Sequence, residues 1–279
     1  MKKFTGILLA AVMMFSLAAC GSSSSSDEEA TKTLRVAMEC GYAPYNWTQE
    51  NDANGAVQIA DSSDYAYGYD VMMAKKIAED LGYNLEIVKL DWDSLIPALQ
   101  SGDIDAVIAG QSITAERKEV VDFSEPYYYA SIVTLVLNDS DYANAAGIAD
   151  LAGATGTSQL GTIWYDNCLP QIKDANILAA QETAPSMLVA LESGAVDLVV
   201  TDMPTALAAS AVYSDIKILD FTDGDDNYVV SDEDINLGIS VQKGNTELLD
   251  AINSVLAKLT VEDYENMMKE AISVQPLSE

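Results

Sequence analysis

The sequence predicts an α/β fold of two lobes, each a mostly parallel sheet flanked by helices, joined by a two-strand hinge. Three observations carry this. Short β-rich apolar runs alternate with segments whose apolar residues recur at helical spacing. A twelve-residue stretch recurs 92 residues further on: Leu99-Gln-Ser-Gly-Asp-Ile-Asp-Ala-Val-Ile-Ala-Gly110 matches Leu191-Glu-Ser-Gly-Ala-Val-Asp-Leu-Val-Val-Thr-Asp202. Finally, residues 235–279 read as a strand and a helix that can return to the first lobe. That return makes a second chain crossing, and two crossings make a hinge around a cleft. The expected boundaries are 31–130 plus 235–279 for the first lobe and 131–234 for the second.

The elements follow in order. Thr33 to Met38 is a first strand. Tyr69 to Leu81 is a helix, with Val71, Met72, Ala74, Ile77, Ala78 and Leu81 at helical spacing and Gly82 as its C-cap. Leu85 to Leu90 is a strand. Trp92 to Gln100 is a short helix closed by Gly102, and Ile104 to Ala109 is the next strand. Ile235 to Val241 reads as a strand, and Thr246 to Leu259 as an amphipathic helix built on Leu248, Leu249, Ile252, Val255, Leu256 and Leu259. The repeat places Gly110 and Asp202 at the carboxyl ends of equivalent strands, the end where open α/β sheets bind ligands.

Composition narrows the function. The chain has 279 residues, 44 acidic and 14 basic side chains, no histidine, and a formal net charge of -30. Without histidine there is no Ser-His-Asp triad, no Cys-His pair and no imidazole zinc site. So acidic a surface repels nucleic acid. Nothing calls for a cofactor or a metal. Asp223-Gly-Asp-Asp-Asn227 resembles a calcium loop only at first glance. The sixth position is Tyr228 rather than Gly and the twelfth is Asp234 rather than Glu, so it reads as a solvated acidic loop.

The first residues read as an export signal over 1–19, with Lys2 and Lys3 preceding the uncharged run from Gly6 to Ala19. Leu17-Ala-Ala-Cys20 resembles a bacterial lipobox, which makes Cys20 the lipidated first residue and Gly21 to Ala30 a Ser-rich tether. Cleavage there removes two lysines and no acid, so -30 becomes -32. No second segment is long and apolar enough to span a membrane. Cys40 and Cys168 read as two unpaired buried thiols, although export permits a disulfide.

Several residues stand out chemically. Thr114 is a natural N-cap for a helix beginning at Ala115. Three residues on, where a capping box has Glu or Gln, stands Arg117. A cation in the first turn opposes the helix dipole, whereas an anion bound there gains backbone N–H groups and a bidentate guanidinium. A surface Arg paired with Glu116 or Glu119 accounts for the residue equally well. Thr155-Gly-Thr-Ser-Gln159 is a small-residue loop that exposes donors, or a simple loop before a helix. Asp202 precedes Met203-Pro204. With Pro204 at the first helical position, Met203 is the N-cap and Asp202 lies just outside, free to bind an ammonium group; a shifted register makes Asp202 the cap. Tyr42, Tyr45, Trp47 and Trp92 lie beyond predicted strands, where aromatic walls suit an aliphatic or cationic ligand.

Five motifs then carry a resemblance: Gly41-Tyr-Ala-Pro-Tyr45, Gly68-Tyr-Asp-Val71, Asp91-Trp-Asp-Ser-Leu-Ile-Pro-Ala-Leu-Gln-Ser-Gly102, Ser112-Ile-Thr-Ala-Glu-Arg117 and Asp122-Phe-Ser-Glu-Pro-Tyr127. Together they resemble the bacterial extracellular solute-binding proteins of polar amino-acid ABC transporters, over nearly all of residues 33–275. The resemblance implies a periplasmic-binding-protein-like fold whose lobes close on a free amino acid. By position, Arg117 clamps the α-carboxylate with help from Ser112, Thr157 and Ser158. Asp202 and the Gly110 carbonyl take the α-ammonium, and Tyr42, Tyr45 and Trp92 line the side-chain pocket. Glu39 stands where Asp is common and favours a basic or amide side chain. The stretch Gln49 to Tyr67 is longer than the usual connection, and Tyr45 and Tyr69 stand where Phe is frequent. The implied protein is a monomer, not an enzyme, anchored to the outer face of the membrane and delivering its ligand to a permease. Two other classes share the fold: a dehydratase of small cyclic acids, with Glu39 as its acid or base, and a sensory protein that presents ligand to a receptor.

Overall fold

The computed structural model describes residues 31–276, so the signal segment, Cys20 and the tether lie outside the described residues. Sixteen strands occur among those described. In chain order, β1 is Thr33–Met38, β2 Gly41–Tyr42, β3 Asn46–Gln49, β4 Val57–Gln58, β5 Tyr65–Tyr67, β6 Asn84–Lys89, β7 Ala106–Val107 and β8 Val121–Phe123. Then come β9 Tyr128–Tyr129, β10 Ile132–Leu137, β11 Thr155–Thr157, β12 Asn176–Ile177, β13 Leu198–Asp202, β14 Ile216–Leu219, β15 Asn236–Leu237 and β16 Ser240–Gln242. The helices are α1 Tyr69–Leu81, α2 Leu95–Ser101, α3 Ala115–Val120, α4 Ala184–Glu192, α5 Met203–Val212, α6 Asp232–Ile235, α7 Thr246–Leu256 and α8 Val261–Val274.

Two five-stranded sheets form the frame, ordered β6-β1-β7-β16-β8 and β12-β11-β13-β10-β14. The parallel core that strand–helix alternation predicts is present in both: β1 pairs in parallel with β6 and β7, and β11 with β12 and β13. Antiparallel pairings complete each sheet, through β16 in the first and β10 in the second. Each sheet is therefore mixed, parallel on one side of its central strand and antiparallel on the other. The chain passes between the sheets twice, and the two passages pair with each other, β9 antiparallel to β15.

Helix α1 forms where the periodicity predicts it. Val71, Met73, Ala74, Ile77 and Ala78 are buried on one face, while Met72 and Leu81 are only half-buried. Full burial of a side chain such as Ile77 contributes about 1.5–3 kcal/mol. Gly82 ends the helix in the left-handed conformation (φ 67°). Its other end requires a glycine: Gly68 has φ 127°, and a Cβ there would lie 2.3 Å from the Tyr45 carbonyl oxygen. That close approach lets the Asp70 N–H reach the same carbonyl (2.8 Å) and brings the start of α1 against Pro44 and Tyr45.

Two regions differ from the sequence expectation. The long stretch after β3 folds into an antiparallel sheet ordered β2-β3-β5-β4, and its following residue Ile59 bridges to Ile87. The single strand expected over 235–241 is split. Ser231 and Asp234 form a capping box that starts α6, so Ile235 ends a helical turn, and β15 and β16 follow as separate pieces. Cys40 and Cys168 are free and buried, and burial pushes both thiols up to about 12. No helix among the described residues is long and apolar enough to cross a membrane.

Candidate functional site

Strand β2, helix α3 and the segments that follow β6, β7 and β11 meet at a narrow cavity of about 20 Å³. Tyr42, Trp92, Gly110, Ser112 and Arg117 line it from the side of the first sheet, and Gln159, Thr162, Ile163 and Trp164 from the side of the second. A space of that size holds about one water molecule. Anything larger enters only if the two walls separate.

Arg117 sits in α3, which begins at Ala115 with Thr114 as its cap: the Thr114 hydroxyl accepts from the Arg117 N–H at 3.2 Å. The helix has only six residues, so Arg117 belongs to its last turn as well as its first. A cation is favourable in a last turn, so the dipole conflict read from the sequence does not hold. The guanidinium pairs with neither Glu116 nor Glu119. It donates from Nη1 to the Ser112 carbonyl (3.0 Å) and from Nη2 across the cleft to the Gly161 carbonyl (3.0 Å), and lies 5.4 Å from the Trp92 ring centroid. Guanidinium carries five N–H donors, so most of its capacity is left for an anion. Burial lowers it to about 10, which leaves it charged at neutral pH.

Asp202 is the N-cap of α5, a correction to the register that placed Met203 there. Its Oδ1 accepts from the Thr205 N–H at 2.9 Å, with Pro204 at the second helical position rather than the first. Its Oδ2 accepts from the Tyr42 hydroxyl at 2.7 Å. The residue is buried, and desolvation raises it above the usual carboxylate range, opposed by those two partners. No cation among the described residues pairs with it.

Glu39 follows directly on β1 and is 7% exposed. Both its oxygens accept from the Gln159 amide, at 3.3 and 3.2 Å. Burial pushes it up to about 7; the Gln159 bond opposes the shift, while Asp91 and Asp93 add to it. Glu39 opens into a second chamber of about 310 Å³ that shares the Trp92 wall and is lined by Asp91, Asp93, Ser94, Leu160, Glu182 and Thr183. Among the described residues, four carboxylates and no cation line that chamber.

Five expected residues do not line the cavity in this arrangement: Asp202 and Glu39 stand one bond behind it, on Tyr42 and Gln159, and Thr157, Ser158 and Tyr45 are turned elsewhere. The Thr157 hydroxyl donates to the Ala179 carbonyl (2.8 Å) and that of Ser158 to the Val200 carbonyl (2.7 Å), so both are spent inside the second sheet. Tyr45 lies behind Tyr42, stacked on it at 4.8 Å, and its own hydroxyl is buried without a partner among the described residues. Tyr42, Trp92, Gly110 and Ser112 line the wall. Trp47 instead packs edge-on against Tyr67, away from it. Gln159 closes the small-residue loop that the sequence singles out, whereas Thr162, Ile163 and Trp164 were missed. Trp164 opens a π-helical turn over Trp164–Cys168, which leaves no apolar periodicity to read. The one available signal was its position just after the small-residue loop. Gly110 owes its place to Tyr42: a Cβ at Gly110 would lie 2.7 Å from the ring, and its φ is 61°. In the acidic loop, Asp226 caps the turn at Ala149 through a 2.9 Å bond, and no metal-binding cluster occurs among the described residues.

The chain is similar to several known proteins. The chain is 37% identical over 163 residues, 58% of each chain, to the arginine-binding extracellular protein ArtP of Bacillus subtilis. It is 30% identical over 272 residues to a probable histidine-binding protein of Neisseria gonorrhoeae, covering 93% of this chain and 91% of that one. Among solved structures, an amino acid ABC transporter substrate-binding protein from Streptococcus pneumoniae bound to L-arginine superposes with a TM-score of 0.74. The two are 29% identical, and the match covers 86% of this chain and 94% of that one. The sequence pattern of the bacterial extracellular solute-binding proteins, family 3, matches residues 34–272, and the chain belongs to that family.

Proposed function

We propose that this protein captures a free amino acid with a cationic side chain between its two sheets and delivers it to the permease of an ABC transporter. One observation carries the proposal: a guanidinium with spare donors lines the cavity, and directly behind its Tyr42 and Gln159 walls stand the buried carboxylates Asp202 and Glu39, which have no cationic partner among the described residues. Arg117 takes the α-carboxylate, with the Ser112 region beside it. Asp202 and the Gly110 carbonyl take the α-ammonium. Tyr42, Trp92 and Trp164 enclose the aliphatic stem. Glu39 receives the charged end, with Asp91, Asp93 and Glu182 making the neighbouring chamber attractive to cations. Relatives whose names specify arginine and histidine support a nitrogen-rich side chain. Thr157 and Ser158 contribute to the carboxylate subsite only if the wall rearranges on opening.

No covalent step is required of these residues, and the family's role is binding. The lobes are residues 31–130 plus 235–279 and residues 131–234, moving about the β9–β15 ladder. Cys20 anchors the chain, as a monomer, to the outer face of the membrane. The test is a thermal-shift screen of the mature protein against the common amino acids and cystine, since a ligand that binds only the folded state raises its stability by mass action. Arginine or lysine is expected to give the largest shift. A largest shift with an acidic or purely aliphatic amino acid rejects the assignment of Glu39.

A further inference from the structure

Two backbone turns present the ligand groups of the first sheet. The turn after β1 carries Glu39 and passes through Cys40 at φ 53°; the turn after β7 passes through Gly110 at φ 61°. The Cys40 N–H donates to Asn46 Oδ1 (2.7 Å), and Asn46 Nδ2 donates to Asp70 Oδ2 (2.8 Å). From the other turn, the Gly110 N–H donates to the Tyr127 hydroxyl (2.9 Å), which donates to Asp70 Oδ1 (2.7 Å). Asp70 and Asn46 are fully buried and Tyr127 is 1% exposed. Asp70 forms no ion pair among the described residues.

We infer that Asp70 is a positioning residue for ligand binding, its buried carboxylate tying together the two turns that carry Glu39 and Gly110. The inference rests on the amino-acid clamp proposed above. Every bond in the chain runs toward Asp70, so position 70 must accept from both sides. An ionised carboxylate does this; a carboxamide has one acceptor oxygen and one donor nitrogen. An asparagine at 70 leaves either the Asn46 amide or the Tyr127 hydroxyl without an acceptor, whichever way it turns. An unpaired buried donor is costly, and the relief available is a shift of the turn bonded to it. A buried carboxylate without a cation is itself costly, and its hydrogen bonds here lead to the backbone of the site. Gly68 places the group, because the approach of the start of α1 to Tyr45 sets where Asp70 points.

The test exploits this direction of donation. In the double variant Asn46→Asp/Asp70→Asn, the new aspartate accepts from the Cys40 N–H and from the new asparagine amide. The asparagine oxygen accepts from Tyr127. All four bonds return, with the charge moved by one link. Calorimetric titration with the best amino acid from the screen is expected to show at least a tenfold loss of affinity in Asp70→Asn. The variant should keep the wild-type near-UV circular dichroism at a temperature well below its Tm. The double variant is expected to recover to within about threefold of wild type. Wild-type affinity in Asp70→Asn, or a double variant no tighter than the single, overturns the inference. If Asp70→Asn does not fold, Tyr127→Phe cuts only the Gly110 arm and should lose affinity alone; an unchanged affinity overturns the inference equally. A wild-type protein that binds no amino acid removes the clamp itself, whereas wild-type binding with an unaffected Asp70→Asn removes this inference only.

Discussion

Burial sets the chemistry of three acids near the cleft, Glu39, Asp70 and Asp202, and raises all three, Glu39 and Asp70 to about 7. A carboxyl raised on folding binds more protons in the native chain than in the unfolded one between the ordinary carboxylate pKa and its own. Its stabilising effect is therefore fully present below the unfolded pKa and is lost as pH rises through about 7. The ligand-free protein is expected to melt at a lower temperature at pH 8 than at pH 5. Glu39→Gln should make that decline shallower without removing it, because Asp70 and Asp202 shift in the same direction; thermal melts across that range check this. A cationic ligand favours the ionised acids, so its affinity should rise with pH through 7 and its binding should release protons. Calorimetry in buffers of different ionisation enthalpy reads that release. For Asp202 the variant matters. Asp202→Ala removes a helix cap, a loss of about 1 kcal/mol, and strands the Tyr42 hydroxyl. Asp202→Asn keeps a cap and removes the charge, and its binding is expected to fall below detection while its Tm stays within a few degrees of wild type.

At the scale of elements, the internal repeat has a physical meaning. Asp105 accepts the Arg35 N–H at 2.8 Å and returns its own N–H to the Arg35 carbonyl; Asp197 does the same with Thr155, also at 2.8 Å. Each repeat is thus a helix, a left-handed glycine (φ 82° at Gly102, 70° at Gly194), an Asp that pins the neighbouring parallel strand, and a strand ending at the cleft. Asp105→Ala and Asp197→Ala should each cost about 1 kcal/mol and leave ligand affinity unchanged, because they act at the far ends of the strands. Chemical denaturation beside a binding titration separates the two effects. Elements with strong local signals were legible in the sequence: β1 and α1 lie where pattern and caps place them, as does the start of α3. What escaped reading depended on contacts distant in the chain. The strands of the antiparallel sheet from β2 to β5 are short, and tertiary pairing rather than periodicity defines them, whereas β7 lies inside the strand expected over Ile104 to Ala109 but pairs over two residues only. Asp70 stands in the Gly68-Tyr-Asp-Val71 motif with no role legible there, because only folding brings Asn46 and Tyr127 against it.

Across the whole molecule, three hydrogen bonds among the described residues bridge the walls of the cleft: Tyr42 to Asp202, Gln159 to Glu39, and Arg117 to the Gly161 carbonyl. The C-terminal helix adds to the joint between the halves, since α8 packs on both α1 and α5, and the Gln275 amide just after it bonds the Ala208 carbonyl. A formal net charge of -30 opposes compactness through self-repulsion. Raising the salt from about 10 to about 200 mM shortens the screening length and should raise the Tm of the ligand-free protein. The acids that produce this charge are mostly solvated surface, and the proposed clamp uses the few that are buried. The most direct test of the clamp is a calorimetric titration of the mature protein and of Arg117→Ala with the amino acid that most raises the Tm. The account predicts saturable binding of one ligand per chain in the wild type and no measurable binding in the variant. An undiminished affinity in Arg117→Ala would contradict it.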